Sequence, residues 1–302
     1  MSEGVADGRV VVVTGAGNGI GRAHALAFAA QGAKVVVNDL GGARDGGGAS
    51  TGPAQAVVDE ITAAGGEAVA NTDDIASWDG AERLVRQAVE TYGGLDVLVN
   101  NAGILRDRTI VSMTEQDWDS VIAVHLKGTV ATLHHAAAHW RARTKAGEAN
   151  DARVINTTSP SGVFGNPGQS NYGSAKAGIA ALTIIAAAEL ARYGVTVNAI
   201  APTALTRLTE DIEVMKQAAE TQDLTPEAIS PLVVWLGSAA SREVTGRVFG
   251  AVGNRITVLE GWVNGPGASA ESRWTPEELT SVVPNLVAKA APNADALGNR
   301  RG

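Results

Sequence analysis

A glycine-rich turn that directly follows an apolar run constrains the fold of this chain most. The run Arg9–Val13 is rich in β-branched residues, as is typical of a buried parallel strand. The segment after Gly21 is rich in strong helix formers and ends at Gly32, a common helix stop. Strand, glycine turn and helix in this order are typical of dinucleotide binding, because the turn admits phosphate and the helix terminus supplies N–H groups. The predicted cofactor-binding residues of the turn are Gly15, Gly17, Asn18, Gly19, Ile20 and Gly21.

Asp39 ends a second apolar run, Lys34–Asn38, and indicates which dinucleotide binds. A carboxylate at the end of the second strand can accept hydrogen bonds from both ribose hydroxyls, whereas a 2′-phosphate there would meet a like charge. The next residue is Leu40, so no arginine directly follows to receive such a phosphate. The sequence therefore predicts NAD rather than NADP, with Asp39 and Leu40 at the ribose. An ordinary turn residue is the alternative role for Asp39.

Strand-like and helix-like segments alternate along most of the chain. This alternation predicts an α/β protein with a three-layer Rossmann fold, in which helices cover both faces of a doubly wound parallel sheet. We expect a single domain over residues 1–302, with a core at about 8–262 and a C-terminal extension at 263–302. The later predicted segments are Gln55–Ala64, Glu67–Asn71, Trp78–Tyr92, Leu95–Val99, Glu115–Arg143, Ala152–Thr157, Asn171–Tyr193, Val195–Ile200 and a tail helix capped by Thr275.

Composition and charge exclude several classes of function. A net charge of −8 argues against nucleic-acid binding, and the absence of cysteine excludes disulfides and thiolate chemistry. His135 and His139 are four residues apart but lack a third ligand at a sensible spacing, so no metal site is expected. The amino terminus lacks the pattern of a signal peptide, and the uncharged stretch Ala177–Ala188 is too short to span a bilayer. We expect a soluble, cytoplasmic protein with no membrane partner.

A tyrosine, a lysine and a serine suggest the chemistry. Tyr172 precedes Lys176 by four residues, and Ser159 lies thirteen residues before the tyrosine. A tyrosine–lysine pair at this spacing is by itself weak evidence for a catalytic site, since any surface helix can carry one. Its place in the order of the other motifs makes it informative.

Taken in order, the motifs resemble those of the short-chain dehydrogenase/reductase family over roughly residues 8–262. The segments that carry the resemblance are Thr14–Gly21, Asp39, Asp74-Ile75, Asn100–Gly103, Ser159, Tyr172–Lys176 and Asn198–Pro202.

A narrower resemblance is to the (3R)-hydroxyacyl-CoA dehydrogenase modules of peroxisomal multifunctional enzymes of type 2. Bacterial relatives of this type also include hydroxysteroid dehydrogenases. The segments that suggest it are Val35–Gly42, Asn100–Arg108, Val124–Gly128 and Gly165–Tyr172.

The family resemblance implies roles for the three catalytic candidates. Tyr172 would be the acid/base, and Lys176 would lower its pKa and bind the nicotinamide ribose. Ser159 would hold the substrate oxygen. By residue type alone, other hydroxyls near Ser159 could take its role, namely Thr157, Thr158 and Ser161.

The resemblance also assigns further cofactor contacts. Asp74 and Ile75 would lie against the adenine. Asn101, Ala102 and Gly103, which follow the predicted strand Leu95–Val99, would lie beside the adenosine ribose. Pro202, Thr203 and Leu205, which follow the sixth predicted strand, would lie near the carboxamide of the nicotinamide.

The chain departs from the family pattern at two places. His125 stands where an asparagine that holds a water in a proton relay is common; a histidine can donate and accept, but a packing role is an equal alternative. Thr203 follows Pro202 where glycine is usual. The family's downstream threonine corresponds to either Thr206 or Thr209.

These observations predict an NAD-dependent oxidoreductase that acts on a secondary alcohol or ketone, with a 3-hydroxyacyl-CoA as the leading substrate class. The alternatives are a 17-beta-hydroxysteroid dehydrogenase and, from another class, a non-catalytic NAD-binding regulatory protein. The substrate loop, about Arg207–Pro226, has no readable signature. We expect a homodimer or homotetramer packed through Glu115–Arg143 and Asn171–Tyr193. The tail from Gly265 is expected to pack near the substrate entrance or a neighbouring subunit.

Overall fold

Eight strands form one sheet in the order β3-β2-β1-β4-β5-β6-β7-β8. The computed structural model describes residues 4–42, 45, 47–48, 50–206, 219–220, 222–296 and 298–299. All neighbouring strands are parallel except β7 and β8. The strands are β1 Val10–Thr14, β2 Lys34–Asn38, β3 Glu67–Asn71, β4 Val97–Asn100, β5 Ala152–Thr157, β6 Val195–Thr203, β7 Val248–Val252 and β8 Arg255–Leu259.

Helices connect the parallel strands and cover both faces of the sheet, which confirms the predicted Rossmann fold. One buried cluster packs α1, α2 and α8 against one face, and a second packs α3, α5 and α7 against the other. The helices are α1 Gly19–Ala30, α2 Gly52–Ala63, α3 Trp78–Tyr92, α4 Glu115–Ile122, α5 Gly128–Lys145, α6 Pro160–Val163, α7 Ser170–Leu190, α8 Ser230–Leu236 and α9 Pro276–Lys289.

The strand order creates the crevice in which a cofactor can bind. From β1 the chain adds β2 and β3 on one side, then crosses back to β4 and continues on the other side. In such sheets ligands bind outside the carboxyl ends of the strands where the order reverses. Here that place is the end of β1 and β4, so the glycine turn lies next to the turn after Asn100.

The observed elements differ from the predicted ones in several places. β4 begins at Val97 rather than Leu95, and β6 continues to Thr203. The predicted helix Glu115–Arg143 is divided by a π-helical segment, Ala123–Lys127. The antiparallel pair β7 and β8 was not predicted. β8 is largely exposed and its sequence, Arg-Ile-Thr-Val-Leu, lacks the apolar run of a buried strand, while Gly250 interrupts the apolar run of β7.

Helix α7 also corrects the expectation about membrane spans. With the 3₁₀ turn that follows, it runs over Ser170–Tyr193, 24 residues that contain an 18-residue window with a mean hydropathy of 1.5, and so is long and apolar enough to cross a membrane by length and composition. The predicted uncharged stretch was only its middle part. In the fold, the inner side of α7 packs on β5 and β6. The core helix of a soluble protein commonly passes the same test.

The tail forms the predicted capped helix. Thr275 accepts the Glu278 N–H while the Glu278 carboxylate accepts the Thr275 N–H, and Pro276 opens α9. No residue of α9 is buried. Beyond it the chain returns to the catalytic region, where Gly298 lies against the ring of Phe164, just after α6. Contact of the tail with another subunit stays a prediction.

Candidate active site

The glycine turn after β1 is shaped by close backbone contacts. Gly15 has a positive φ of 63°, and a Cβ there would lie 2.7 Å from the Cα of Ala102. A Cβ at Gly21 would overlap the carbonyl oxygen of Gly15. Only glycine allows this turn and this contact. The turn leads directly into α1, whose first N–H groups are available for a phosphate.

Hydrogen bonds fasten the turn after β4 to the glycine turn. The Thr14 hydroxyl accepts the N–H groups of Asn101 and Ala102, at 3.0 and 3.1 Å. The Asn101 amide donates to the carbonyls of Thr14 and Gly15, at 3.1 and 3.3 Å. Two predicted cofactor segments are thus brought together as one edge of the crevice.

Asp39 is placed where the sequence predicts, at the end of β2 beside the glycine turn. Its Oδ2 accepts the Gly17 N–H at 2.8 Å, and its Oδ1 accepts the Gly41 N–H at 2.7 Å. Each carboxylate oxygen can accept more than one hydrogen bond, so both retain capacity for a ribose hydroxyl. The glycine turn, the helix terminus and this carboxylate together fit a nicotinamide dinucleotide.

Asp74 and Ile75, the two residues predicted to contact adenine, differ in their exposure to solvent. Asp74 is exposed after β3, and its Oδ1 accepts the Ala76 N–H at 2.9 Å. Ile75 is buried, and its side chain packs so tightly against Gly128 that a Cβ there would overlap it. The Ile75 side chain belongs to the core, which leaves its backbone for an adenine contact.

Ser159, Tyr172 and Lys176 meet at the carboxyl end of β5. Ser159 caps α6, where its hydroxyl accepts the Ser161 N–H at 3.2 Å, and it also hydrogen-bonds the Tyr172 side chain. The Lys176 ammonium donates to the Thr157 carbonyl at 2.6 Å and lies 5.6 Å from the centre of the Tyr172 ring. The three side chains therefore form one cluster.

The hydrogen bonds of Thr157, Thr158 and Ser161 differ from those of Ser159, whose role they could take by residue type alone. The Thr158 hydroxyl donates to the Lys176 carbonyl at 2.6 Å, and the Ser161 hydroxyl donates to Gln169 Oε1 at 2.7 Å. The Thr157 hydroxyl is buried and has no hydrogen-bond partner among the described residues. Among these four residues, Ser159 is the one whose side chain acts on Tyr172, because hydrogen bonding by Ser159 lowers the pKa of Tyr172.

Burial dominates the ionisation of the cluster. It raises the pKa of Tyr172, as does the nearby Asp107 carboxylate, while the Ser159 hydrogen bond lowers it. Burial also lowers the pKa of Lys176 to about 7. In the chain without cofactor the pKa of Tyr172 is thus raised, and its lowering by Lys176 together with the oxidised nicotinamide stays a prediction. Removal from water disfavours the charged form of both groups.

His125 lies in the π-helical segment with its ring edge-on to Tyr172, at a centroid distance of 5.2 Å. Its Nε2 is 2.8 Å from the Ile104 carbonyl oxygen, and its Nδ1 has no partner among the described residues. Burial, and secondarily the Lys176 charge, lowers the pKa of His125 to about 3. A Cβ at Gly103 would overlap the ring, which explains that glycine. At neutral pH the ring is uncharged, so one ring nitrogen donates a hydrogen bond and the other can accept one.

The end of β6 brings a threonine to the glycine turn. A Cβ at Gly19 would lie 3.6 Å from the Cβ of Thr206, so this threonine borders the predicted phosphate site. Thr209 lies outside the described residues, as does most of the predicted substrate loop. Pro202 and Thr203 are the last residues of β6, and the Leu205 N–H donates to the Leu224 carbonyl at 2.6 Å.

Asn171 is a structural residue of the site that sequence reasoning missed. Its fully buried amide donates to the carbonyls of Arg106 and Asp117, at 2.9 and 3.1 Å, and its Oδ1 accepts the Tyr172 N–H at 2.8 Å. It joins the loop after Gly103 to the start of α7. An asparagine beside the catalytic tyrosine was the available signal, but its partners are more than fifty residues away in sequence.

His135 and His139 form no multi-ligand metal cluster. In the part of the chain that the structure describes, no group of three or more His, Cys, Asp or Glu side chains could hold a metal ion. His135 instead contacts Trp78, whose ring centre is 5.5 Å away.

Comparison with known proteins agrees with the site. Residues 9–217 match the family model described as short chain dehydrogenase. A crystal structure of a short chain dehydrogenase from Mycobacterium avium is 59% identical, with a TM-score of 0.87, and the match covers 96% of this chain and 98% of that one.

Curated relatives carry more specific names. A hydroxyacyl-CoA dehydrogenase of Mycobacterium tuberculosis is 43% identical over 94% of this chain and 90% of its own length. The peroxisomal multifunctional enzyme type 2 of Mus musculus is 46% identical over 76% of this chain, which corresponds to 30% of that longer protein.

The buried His125 predicts loss of stability in acid. Its pKa is about 3 in the fold, against about 6.5 for an unperturbed histidine. Between these values the unfolded chain binds more protons, so stability is full above about pH 6.5 and is lost as the pH falls toward 3. At pH 5 we expect this residue to account for a loss on the order of 2 kcal/mol relative to neutral pH.

Denaturant unfolding at pH 7 and pH 5 measures this effect. The variant His125→Asn should show a smaller difference between the two pH values than the wild type, and His134→Asn is the control for removing an exposed histidine. An unchanged pH dependence in His125→Asn would contradict the assignment of a neutral, buried His125.

Proposed function

This chain belongs to the short-chain dehydrogenase family, and we propose that it catalyses the NAD-dependent oxidation of the secondary hydroxyl of a 3-hydroxyacyl-CoA. The family membership makes it an oxidoreductase acting on an alcohol or ketone. The observation that carries the proposed reaction is the cluster of buried Ser159 and Lys176 with half-buried Tyr172, beside a crevice that fits NAD. The substrate class is supported by the relative named hydroxyacyl-CoA dehydrogenase, which this chain matches over nearly its full length.

The residues of the cluster have separate tasks in this reaction. NAD supplies, when bound, the acceptor for the hydride that leaves the carbinol carbon. The Ser159 hydroxyl orients the substrate oxygen. Tyr172, in the ionised form that the positive charges of Lys176 and the bound oxidised nicotinamide would favour, takes the hydroxyl proton, so that alcohol and NAD⁺ give ketone, NADH and one proton. The Lys176 ammonium places positive charge 5.6 Å from the centre of the tyrosine ring, and its bond to the Thr157 carbonyl fixes its position.

His125 would hold a water molecule of the proton relay. It is buried against Tyr172, and its Nδ1 has no protein partner among the described residues, so this nitrogen is available to a water molecule. A neutral imidazole can donate a hydrogen bond at one nitrogen and accept one at the other, so it can hold a water of the relay. His125 would take the relay role in which the family commonly uses asparagine.

A hydroxysteroid is the second candidate substrate, since the same cluster would oxidise any secondary hydroxyl placed against it. A regulatory NAD-binding protein is disfavoured by the cluster itself. A protein that only bound NAD would have no need to bury a tyrosine and a lysine together, which has a desolvation cost for both charged forms.

The first test of the chemistry is Tyr172→Phe. The variant keeps the ring but removes the proton acceptor, and we expect turnover to fall by about 10²- to 10⁴-fold. Initial rates of NADH formation measure the loss, and calorimetry should show NAD binding close to that of the wild type. Tyr193→Phe, outside the site, is the control and should keep its activity. A Tyr172→Phe variant that retained most of its turnover would refute the role of this residue.

The second test concerns the choice of cofactor. Wild-type kcat/KM should be at least about tenfold higher with NAD than with NADP, because the Asp39 carboxylate repels a 2′-phosphate. Asp39→Ala should narrow this ratio by weakening NAD and relieving the repulsion. Asp59→Ala on the exposed side of α2 is the control. Equal wild-type efficiency with both cofactors would show that Asp39 does not select NAD.

The proposed assembly is a homodimer or homotetramer built on α5 and α7. The outer side of α7 leaves Ile184 and Ile185 52% and 55% exposed, which favours burial against another copy. Light scattering at micromolar concentration should give the mass of a dimer or tetramer, and Ile184→Glu should lower it. A wild-type monomer would contradict this proposal.

A further inference from the structure

The side chain of Gln169 joins three segments that surround the catalytic tyrosine. It is half-buried and lies three residues before Tyr172, directly ahead of α7. Its Oε1 accepts the Ser161 hydroxyl at 2.7 Å and the Asn166 amide at 3.0 Å, while its Nε2 donates to the Asp107 carboxylate at 2.8 Å. The amide therefore binds α6, the loop after α6 and the loop after Gly103 at the same time.

The backbone of Gln169 joins the start of α7 to the loop after Gly103. The Gln169 carbonyl accepts the Gly173 N–H at 2.6 Å, a hydrogen bond that encloses Tyr172 in the first turn of the helix. Arg108 forms a parallel β-bridge with Gln169. The tyrosine is thus preceded by a residue that is held through both its backbone and its side chain.

Ser161 connects Gln169 to the catalytic serine. It lies in α6, whose N-cap is Ser159, and its N–H donates to the Ser159 hydroxyl at 3.2 Å. Its own hydroxyl donates to Gln169, so only this residue separates Gln169 from the serine. Helix α6 also packs closely on α7, since a Cβ at Gly162 would lie 2.6 Å from the Cβ of Lys176. A shift of Ser161 would therefore move the Ser159 hydroxyl relative to the tyrosine.

Asp107 lies at the other end of the same connection. It is exposed, so packing does not fix its side chain, and the hydrogen bond to Gln169 limits where its carboxylate can lie. The negative charge of Asp107 raises the pKa of Tyr172. The position of this charge relative to the tyrosine thus depends on Gln169.

We propose that Gln169 is a positioning residue for the oxidation, whose side-chain amide holds the serine-bearing helix α6 and the Asp107 carboxylate in place beside Tyr172. It acts through Ser161 and Asp107 and is not itself a catalytic residue. Because Ser159 orients the substrate oxygen and Tyr172 takes the proton, a small displacement of either slows the chemical step. This inference rests on the proposed function, since it concerns the same reaction.

Exchange of the donor and acceptor between positions 169 and 107 tests this role. Gln169→Glu places two carboxylates against each other, and we expect kcat for the 3-hydroxyacyl-CoA to fall by about 10- to 100-fold. Asp107→Asn keeps an oxygen that can accept from Gln169 and is the reference for the double variant. Gln169→Glu with Asp107→Asn restores one donor and one acceptor, so kcat should recover toward that of Asp107→Asn.

The chain offers a matched control in α2. Gln55 Nε2 donates to Asp59 Oδ1, also at 2.8 Å, and both residues are exposed. Gln55→Glu therefore creates the same pair of carboxylates away from the catalytic cluster. We expect this variant to keep the wild-type kcat.

Two further readouts separate positioning from support of the fold. Calorimetry should give Gln169→Glu the same NAD affinity and binding stoichiometry as the wild type, so that the loss is confined to kcat. With deuterium on the carbinol carbon, the isotope effect on kcat in Gln169→Glu should be at least as large as in the wild type, because hydride transfer has become slower. Circular dichroism checks that the variants are folded.

Several results would overturn the inference. They are an unchanged kcat in Gln169→Glu, a double variant as slow as Gln169→Glu, a smaller isotope effect, and a loss of NAD-binding stoichiometry that accounts for the loss of kcat. A wild type that oxidised a hydroxysteroid but no hydroxyacyl-CoA would refute only the proposed substrate. The same variants compared with that steroid would then test the role of Gln169.

Discussion

The hydrogen bond from the Lys176 ammonium to the Thr157 carbonyl is the contact on which the arrangement of the site depends. It joins α7 to the carboxyl end of β5, and the Thr158 hydroxyl joins the same two elements through the Lys176 carbonyl. Ser159 follows directly on β5, and Tyr172 lies one helical turn before the lysine. A buried ammonium needs such a partner, because an unpaired charge in the interior is strongly unfavourable. Burial of the lysine thus fixes the serine and the tyrosine relative to each other.

A second set of contacts places the cofactor crevice beside this cluster. Thr14 and Asn101 bind the ends of β1 and β4 together, and Asp39 reaches over the glycine turn to accept the Gly17 N–H. Both sets lie along the same carboxyl edge of the sheet, because all the strands involved are parallel. His125 and Asn171 connect the two regions through the loop after Gly103, since both contact its backbone.

Much of this organisation follows from the sequence, since it depends on local patterns. Apolar β-branched runs predict the inner strands, and the glycine turn, Asp39 and the spacing from Ser159 to Lys176 predict the positions of cofactor and proton transfer. Longer-range effects were not predictable. The raised pKa of Tyr172 arises from the packing around it, and the partners of Asn171 lie on distant segments. The position of Thr206 beside the glycine turn likewise came only from the structure, and Thr209 lies outside the described residues.

The central claim is that this site oxidises a 3-hydroxyacyl-CoA with NAD. The most direct measurement is the initial rate of NADH formation by the wild-type protein with a set of 3-hydroxyacyl-CoAs and a matched set of hydroxysteroids. Our account predicts that at least one hydroxyacyl-CoA is oxidised with a kcat/KM more than about tenfold above that of any steroid in the set, which corresponds to about 1.4 kcal/mol of transition-state binding. Equal or faster oxidation of a steroid, or no NADH with any thioester, would contradict it.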